Sequence, residues 1–269
     1  MAGISLGGLA NVTDGDMSGI SMGGLANVSD GDMFGISAGG LANVTDGDCS
    51  GISVGGLANV TDGDMSGISL GGLANVSDGN RNGISFGGLA NVCDGNMAGI
   101  NAAGLANVCD GSMDGINISG INITGTEGIS GINMSGGSIV CSKDLSFITM
   151  GVIGSISELS YSDREGPEYH LDYQGVRAER ARWITIHGTR IDIEKELQGL
   201  SVCGIYTRAG EFNGVNITGI FTRTQTMKGL SVGLVNYSES LHGIQLGLLN
   251  IALDNPGWAR YMPLINASF

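Results

Sequence analysis

Aspartate pairs recur at a fixed spacing in the first half of the chain, and they are the side chains best suited to chemistry. Each pair flanks a glycine in Asp-Gly-Asp and returns after 16 residues. If the units that carry them stack side by side, equal carboxylates lie about 5 Å apart and repel one another. Ca²⁺ binds several carboxylate and carbonyl oxygens and would relieve this repulsion, whereas a solvated Asp-Gly-Asp turn needs no metal.

Ca²⁺ is therefore the one cofactor that the sequence suggests, with the solvated turn as the alternative. The spacing matches neither an EF-hand loop nor the nonapeptide repeat of calcium-binding solenoids. The second aspartate of the pair is replaced in the later units, by Asn80, Asn96 and Ser112. The predicted ligands are Asp14, Asp16, Asp30, Asp32, Asp46, Asp48, Asp62 and Asp64.

Cysteine and histidine offer less chemistry. The chain has five cysteines and no Cys-x-x-Cys spacing, which argues against a disulfide framework or a zinc site. Cys93 and Cys109 occupy the same place in consecutive units, so stacking would bring them within disulfide range; alternatively, cysteine simply replaces Thr or Ser there. The histidines share no spacing with a nucleophile motif. We predict no catalytic residues and no enzyme, with a pocket near His170 or His187 as the alternative.

The elements that must position these residues are copies of one 16-residue unit. Short apolar alternation broken by Gly-Gly and by Asp-Gly is typical of strands and turns. Helix is disfavoured because each glycine costs about 1 kcal/mol relative to alanine in a helix. Clear units begin at Gly3, Gly19, Gly35, Gly51, Gly67, Gly83 and Gly99, a degenerate one at Gly115, and shorter ones at Gly199, Gly214, Gly229 and Gly243.

Two all-β architectures fit this unit. In a β-solenoid of 16-residue coils, each unit forms two short strands, with Gly-Gly at one corner and Asp-Gly-Asp at the other. In an up-and-down β-barrel, each unit forms one strand and one turn. We favour the solenoid, because the unit has two glycine-rich breaks and because near-identical units suit coils that face identical neighbours. Solenoid stacking would also align one asparagine per unit, from Asn11 to Asn107, as a buried ladder or as solvated turn residues.

Composition divides the chain into three predicted parts. Residues 1–142 form an acidic 16-residue repeat array with one basic and 13 acidic residues. Residues 143–198 hold divergent repeats with a charged insertion, and residues 199–269 hold the C-terminal repeats and a cap. The net charge of −14 opposes binding to nucleic acid. The hydrophobic content of 42% is enough for a buried core, and no apolar run is long enough for a transmembrane helix.

The C-terminal segment 229–269 resembles a bacterial surface-repeat family built of GLxxGLxN units and found in spirochaetes and Bacteroidetes-like bacteria. The family carries a similar Asn-Pro, Leu-Pro, Leu-Asn and terminal Phe arrangement. The residues that match are Gly243, Leu246, Gly247, Leu248, Asn250, Asn255, Pro256, Pro263, Leu264, Asn266 and Phe269.

This resemblance implies an exported surface protein or lipoprotein at the cell surface or outer membrane, with membrane association, and it brings no catalytic residues. The chain departs from the family because no signal peptide or lipobox cysteine follows Met1; if the protein is exported, we expect that its native start lies upstream. We therefore expect a non-enzymatic structural or surface-exposed repeat protein of the bacterial envelope, acting on an unknown protein or surface partner as a spacer, adhesion or assembly surface. The alternatives are an outer-membrane β-barrel with an anchoring or transport role and a calcium-stabilised solenoid.

Overall fold

A computed structural model describes residues 1–152 and 175–269. These residues form an all-β solenoid. Two compact units, residues 1–133 and 134–269, are described separately below. Within the described ranges, no helix is long and apolar enough to cross a membrane.

Each coil of the first unit consists of a long strand, a Gly-Gly-Leu corner, a short strand and an Asp-Gly corner. The long strands are Ala2–Gly7, Met17–Gly23, Met33–Gly39, Cys49–Gly55, Met65–Gly71, Arg81–Gly87, Met97–Ala103 and Ser112–Ser119. The short strands are Ala10–Thr13, Ala26–Ser29, Ala42–Thr45, Ala58–Thr61, Ala74–Ser77, Ala90–Cys93, Ala106–Cys109 and Asn122–Gly125, and the two-residue strand Gly128–Ile129 follows them.

Successive coils pair in parallel and in register, so that each residue lies beside its equivalent 16 positions later. Ile52 pairs with Ile68, for example, and Asn59 with Asn75. The solenoid prediction is confirmed. The alternative, an up-and-down barrel, is wrong for the residues described, because such a barrel requires antiparallel neighbours whereas these strands are parallel.

The interior of the first unit is filled largely by polar side chains, while much of the aliphatic content faces outward. Met65, Ser69, Asn75 and Ser77 are buried, and Leu73 between them is 46% exposed. The apolar part of this interior comes mainly from methionine, with Met17, Met33 and Met65 among its members, together with buried cysteines such as Cys49.

Glycine at the start of each unit is required by backbone geometry. Gly67 has a φ of 98°, a left-handed value that a side chain makes costly. A Cβ there would also lie 2.2 Å from the carbonyl oxygen of Gly51 in the preceding coil. The glycines that begin the other units are likewise left-handed.

The second unit repeats the same design with longer strands. Its strands are Ile132–Ser135, which begins in the first unit, Ser138–Cys141, Asp144–Gly151, Val176–His187, Arg190–Cys203, Tyr206–Thr218, Phe221–Val232, Val235–Ala252 and Tyr261–Ser268, with a 3₁₀ turn at Gly257–Ala259. The last strand runs antiparallel to Val235–Ala252. It thereby covers an edge that would otherwise be open for pairing.

Candidate functional site

The predicted aspartates lie together at the Asp-Gly corner of the first unit, in columns that repeat from coil to coil. The second aspartate of each pair uses its Oδ1 atom as a hydrogen-bond acceptor. Asp48 Oδ1 accepts the backbone N–H of Asp64 at 2.8 Å, and Asp32 Oδ1 accepts that of Asp48 at 2.8 Å. Each carboxylate thus satisfies a backbone donor of the next coil that would otherwise have no partner in the turn.

The same acceptor role explains why asparagine can replace aspartate in this column. Asn80 Oδ1 accepts the backbone N–H of Asn96 at 3.0 Å, and Asn96 Oδ1 accepts that of Ser112 at 2.8 Å. The position needs an Oδ1 atom and does not need a charge. This function was missed at the sequence level, although the exchange of Asp for Asn at a constant spacing was the signal for it.

Calcium binding at this corner stays a prediction. The structure places the predicted ligand pairs on one corner. Among residues 1–152 and 175–269, no three His, Cys, Asp or Glu side chains are grouped closely enough to hold a metal ion. The first aspartate of each pair is exposed, as at Asp62 and Asp78.

Cys93 and Cys109 face each other in adjacent coils, as the spacing predicted. They are register partners, and both are buried free thiols. A hydrogen bond between them, together with other effects, lowers the pKa of Cys93, whereas the same bond and burial raise the pKa of Cys109. Cys93 pairs on its other side with Ser77, so the column otherwise holds small polar side chains.

Arg81 is the buried cation of this region, in a column that holds methionine at most of its other positions and cysteine at Cys49. It lies between Met65 and Met97 and is 2% exposed. Its Nη1 donates to Ser85 Oγ at 3.0 Å and its Nη2 donates to the Val92 carbonyl at 3.0 Å. No carboxylate of the described residues pairs with it, and its Nε lacks a partner there. Burial lowers the pKa of Arg81 to about 10.

His187, one of the predicted pocket residues, lies in the interior of the second unit. Its Nδ1 accepts the backbone N–H of Thr189 at 3.1 Å and of Arg190 at 3.2 Å. Its Nε2 lies 3.2 Å from the Gly137 carbonyl and therefore carries the proton. Burial lowers the pKa of His187, and the neutral ring supports a turn. His170 lies outside the described residues, as do all of residues 153–174.

An exposed aromatic pair in the second unit occupies the column that glycine fills elsewhere. Phe147 and Trp183 have φ values of 81° and 83°, and their rings stack with centroids 5.9 Å apart. Trp183 pairs in register with Gly199. Sequence reasoning missed this pair because the strained backbone has no signature in the residue types.

The outer face of the first unit was also missed. Its apolar columns remain accessible around the Gly-Gly-Leu corner. Comparison of the chain with protein-family models, with curated proteins and with solved structures gave no match.

Proposed function

We propose that this protein is a non-enzymatic structural repeat protein of the bacterial envelope, which presents a repeated outer surface as a spacer, adhesion or assembly element. The observation that carries the proposal is the in-register parallel stacking of near-identical coils in the first unit. Such stacking repeats each outward side chain at every coil, about 4.8 Å apart. A partner that binds one coil therefore meets the same chemistry on the next.

The interior supports this proposal because its polar groups are used to hold coils together. Asn59 Nδ2 donates to Asn75 Oδ1 at 2.8 Å and also to the carbonyl of Ser53 at 3.2 Å. The first bond joins two coils, and the second joins the two arms of one coil. Buried amides with both kinds of partner favour one register over all others, as a structural array requires.

The C-terminal resemblance supports the envelope location. Three of the matching residues are structural: Asn250 Oδ1 accepts from Asn236 Nδ2 at 2.9 Å, and Asn255 Nδ2 donates to Asn266 Oδ1 at 2.8 Å. The first bond joins the last two coils, and the second reaches the covering strand Tyr261–Ser268. The shared residues therefore serve the end of the solenoid, which agrees with a family defined by its repeats.

Surface labelling of intact cells of the source organism tests the proposal. We expect antibodies against the first unit to bind intact cells, and protease added outside to remove the epitope while a cytoplasmic marker stays intact. Recovery of the protein only in the cytoplasmic fraction, with no labelling before permeabilisation, would contradict the envelope location.

A further inference from the structure

The outward side chains around the Gly-Gly-Leu corner of the first unit form one continuous apolar surface, which we call the apolar corner. It is defined by three columns of side chains. The corner column is Leu25, Leu41, Leu57, Leu73, Leu89 and Leu105; the isoleucine column is Ile20, Ile36, Ile52, Ile68, Ile84 and Ile100; and the variable column is Met22, Ala38, Val54, Leu70, Phe86 and Ala102.

The apolar corner is more exposed and more extensive than single surface leucines would be. The leucines of the corner column are 43% to 47% exposed. A shallow groove of about 580 Å³ follows the glycine pairs, with Leu70 and Phe86 among its walls. Soluble monomers rarely expose contiguous apolar patches above a few hundred Å², and larger ones mark interaction sites. Three columns over six coils exceed that size.

The backbone N–H groups of the apolar corner are already hydrogen-bonded within the protein. Gly72 N–H donates to the Gly55 carbonyl at 3.0 Å, and Leu73 N–H donates to the Leu57 carbonyl at 2.7 Å. Ala74 N–H donates to the same Leu57 carbonyl at 3.1 Å. An ordinary loop would leave such donors to water, and each unpaired one costs several kcal/mol in hydrocarbon. These N–H donors can enter an apolar phase without that cost.

Charge is segregated from the apolar corner. In the coils between residues 17 and 112, the acidic residues lie at the opposite, Asp-Gly corner, and the basic Arg81 is buried. The apolar corner itself carries no charged residue in its three columns. A partner must therefore be apolar where it meets the corner, and it must not be strongly anionic, because residues 1–142 contain 13 acidic residues and one basic residue.

The variable column points to a fluid partner. Its residues range in volume from Ala38 to Phe86, while the corner leucines and the isoleucines beside them are constant. A protein partner that presents the same closely packed surface to each coil would leave cavities at Ala38 and Ala102 and would clash with Phe86. A lipid phase imposes no such shape requirement and asks only that each side chain be apolar.

We propose that the apolar corner inserts into one leaflet of an uncharged or zwitterionic lipid bilayer, while the Asp-Gly corner stays in water. From Ile68 to Gly72 the chain advances about 13 Å at ~3.3 Å per residue. When the strands stand perpendicular to the bilayer, this advance is the depth of insertion. It is close to half of a hydrocarbon core of ~30 Å, so the corner reaches through a single leaflet. The inference deepens the proposed function by naming the partner of the repeated surface, and it rests on that function only for its biological setting.

Flotation of the purified full chain with phosphatidylcholine vesicles tests the inference. The test variant combines Leu57→Ser, Leu73→Ser and Leu89→Ser, which are exposed and leave the corner hydrogen bonds in place. The matched control combines Asp62→Asn, Asp78→Asn and Asp94→Asn at the opposite corner. We expect the wild type and the control to float with the vesicles, and the leucine variant to partition at least about tenfold less, since each leucine loses its transfer free energy.

Three results would overturn the inference. They are the absence of wild-type flotation, equal flotation of the leucine variant with an unchanged circular dichroism spectrum, and stronger binding to phosphatidylglycerol vesicles than to phosphatidylcholine.

Light scattering without lipid measures whether the chain forms a dimer through the apolar corner. A wild-type dimer that the leucine variant dissociates, with no vesicle binding, would assign the apolar corner to a second copy of the chain. Because the test uses purified protein, it is independent of the location found by cell labelling.

Discussion

Asp48 is the residue that best distinguishes a structural role of the Asp-Gly corner from a metal-binding role. Its Oδ1 accepts the backbone N–H of Asp64, and asparagine fills the same role two coils later at Asn80. We expect Asp48→Asn to leave the free energy of unfolding unchanged or slightly higher, because the acceptor stays and repulsion falls. Asp48→Ala should lower it by about 1 kcal/mol, because the Asp64 donor loses its partner. Chemical denaturation of both variants measures this, and equal losses would contradict the acceptor role.

Arg81 predicts a stabilising substitution. Its guanidinium is buried without a carboxylate partner, in a column that holds methionine on both sides. Arg81→Met should raise the free energy of unfolding at pH 7 by about 1–4 kcal/mol, by analogy with buried ion pairs that are replaced by apolar residues of similar volume. Thermal denaturation checks the change, with Asn82→Ser as a control at the neighbouring exposed position.

The pH dependence gives a second readout on Arg81. Burial lowers its folded pKa from 12.5 to about 10. Between these values the unfolded chain binds more protons than the folded chain, so stability rises as pH increases through this window. Below pH 10 the cost of burial is fully present. Arg81→Met should remove this rise, and an unchanged profile would show that Arg81 is not the group responsible.

At the scale of the element, the coil and its asparagine column show how much of the fold the repeat predicts from sequence. Fixed spacing predicted the coil, its two strands, its two corners and the alignment of Asn11 to Asn107. It left open whether the asparagines are buried, and the structure shows that they are. The direction in which isoleucine and leucine point could not be read from spacing, because an alternation of period two allows either face of the strand to lie inside. In Met65–Gly71, Met65 and Ser69 are buried and Leu70 is exposed.

Calcium binding is also a property of this element, and it can be tested apart from the acceptor role. If the carboxylates of Asp14 to Asp64 hold Ca²⁺, the melting temperature should be higher with calcium than with a chelator, because a ligand that binds only the folded state stabilises it. The variant Asp46→Asn, Asp48→Asn should show a smaller shift. The same melting temperature in calcium and in chelator would end the calcium prediction.

For the whole molecule, the coil is expected to be the unit of insertion and deletion. Removal of residues 51–66 joins Ser50 to Gly67 and leaves every remaining column in register. We expect this protein to fold with a strand content and melting temperature close to those of the wild type, because each coil contacts only its neighbours. Removal of residues 51–58 deletes half a period and brings unlike side chains together, so it should unfold or destabilise the first unit strongly. Circular dichroism melts of both deletions measure the difference.

The stacking itself is tested most directly by spin labels on the corner column. Leu57 and Leu73 are exposed and one coil apart, and the corner backbone joins their two coils. Labels at these two positions should lie about 5 Å apart at the backbone, so continuous-wave spectra should show strong broadening by spin exchange. A control pair at Leu57 and Asn82 places the labels on different columns and should show little broadening. Sharp spectra for the pair at positions 57 and 73 in the folded protein would contradict the parallel in-register solenoid and every surface derived from it.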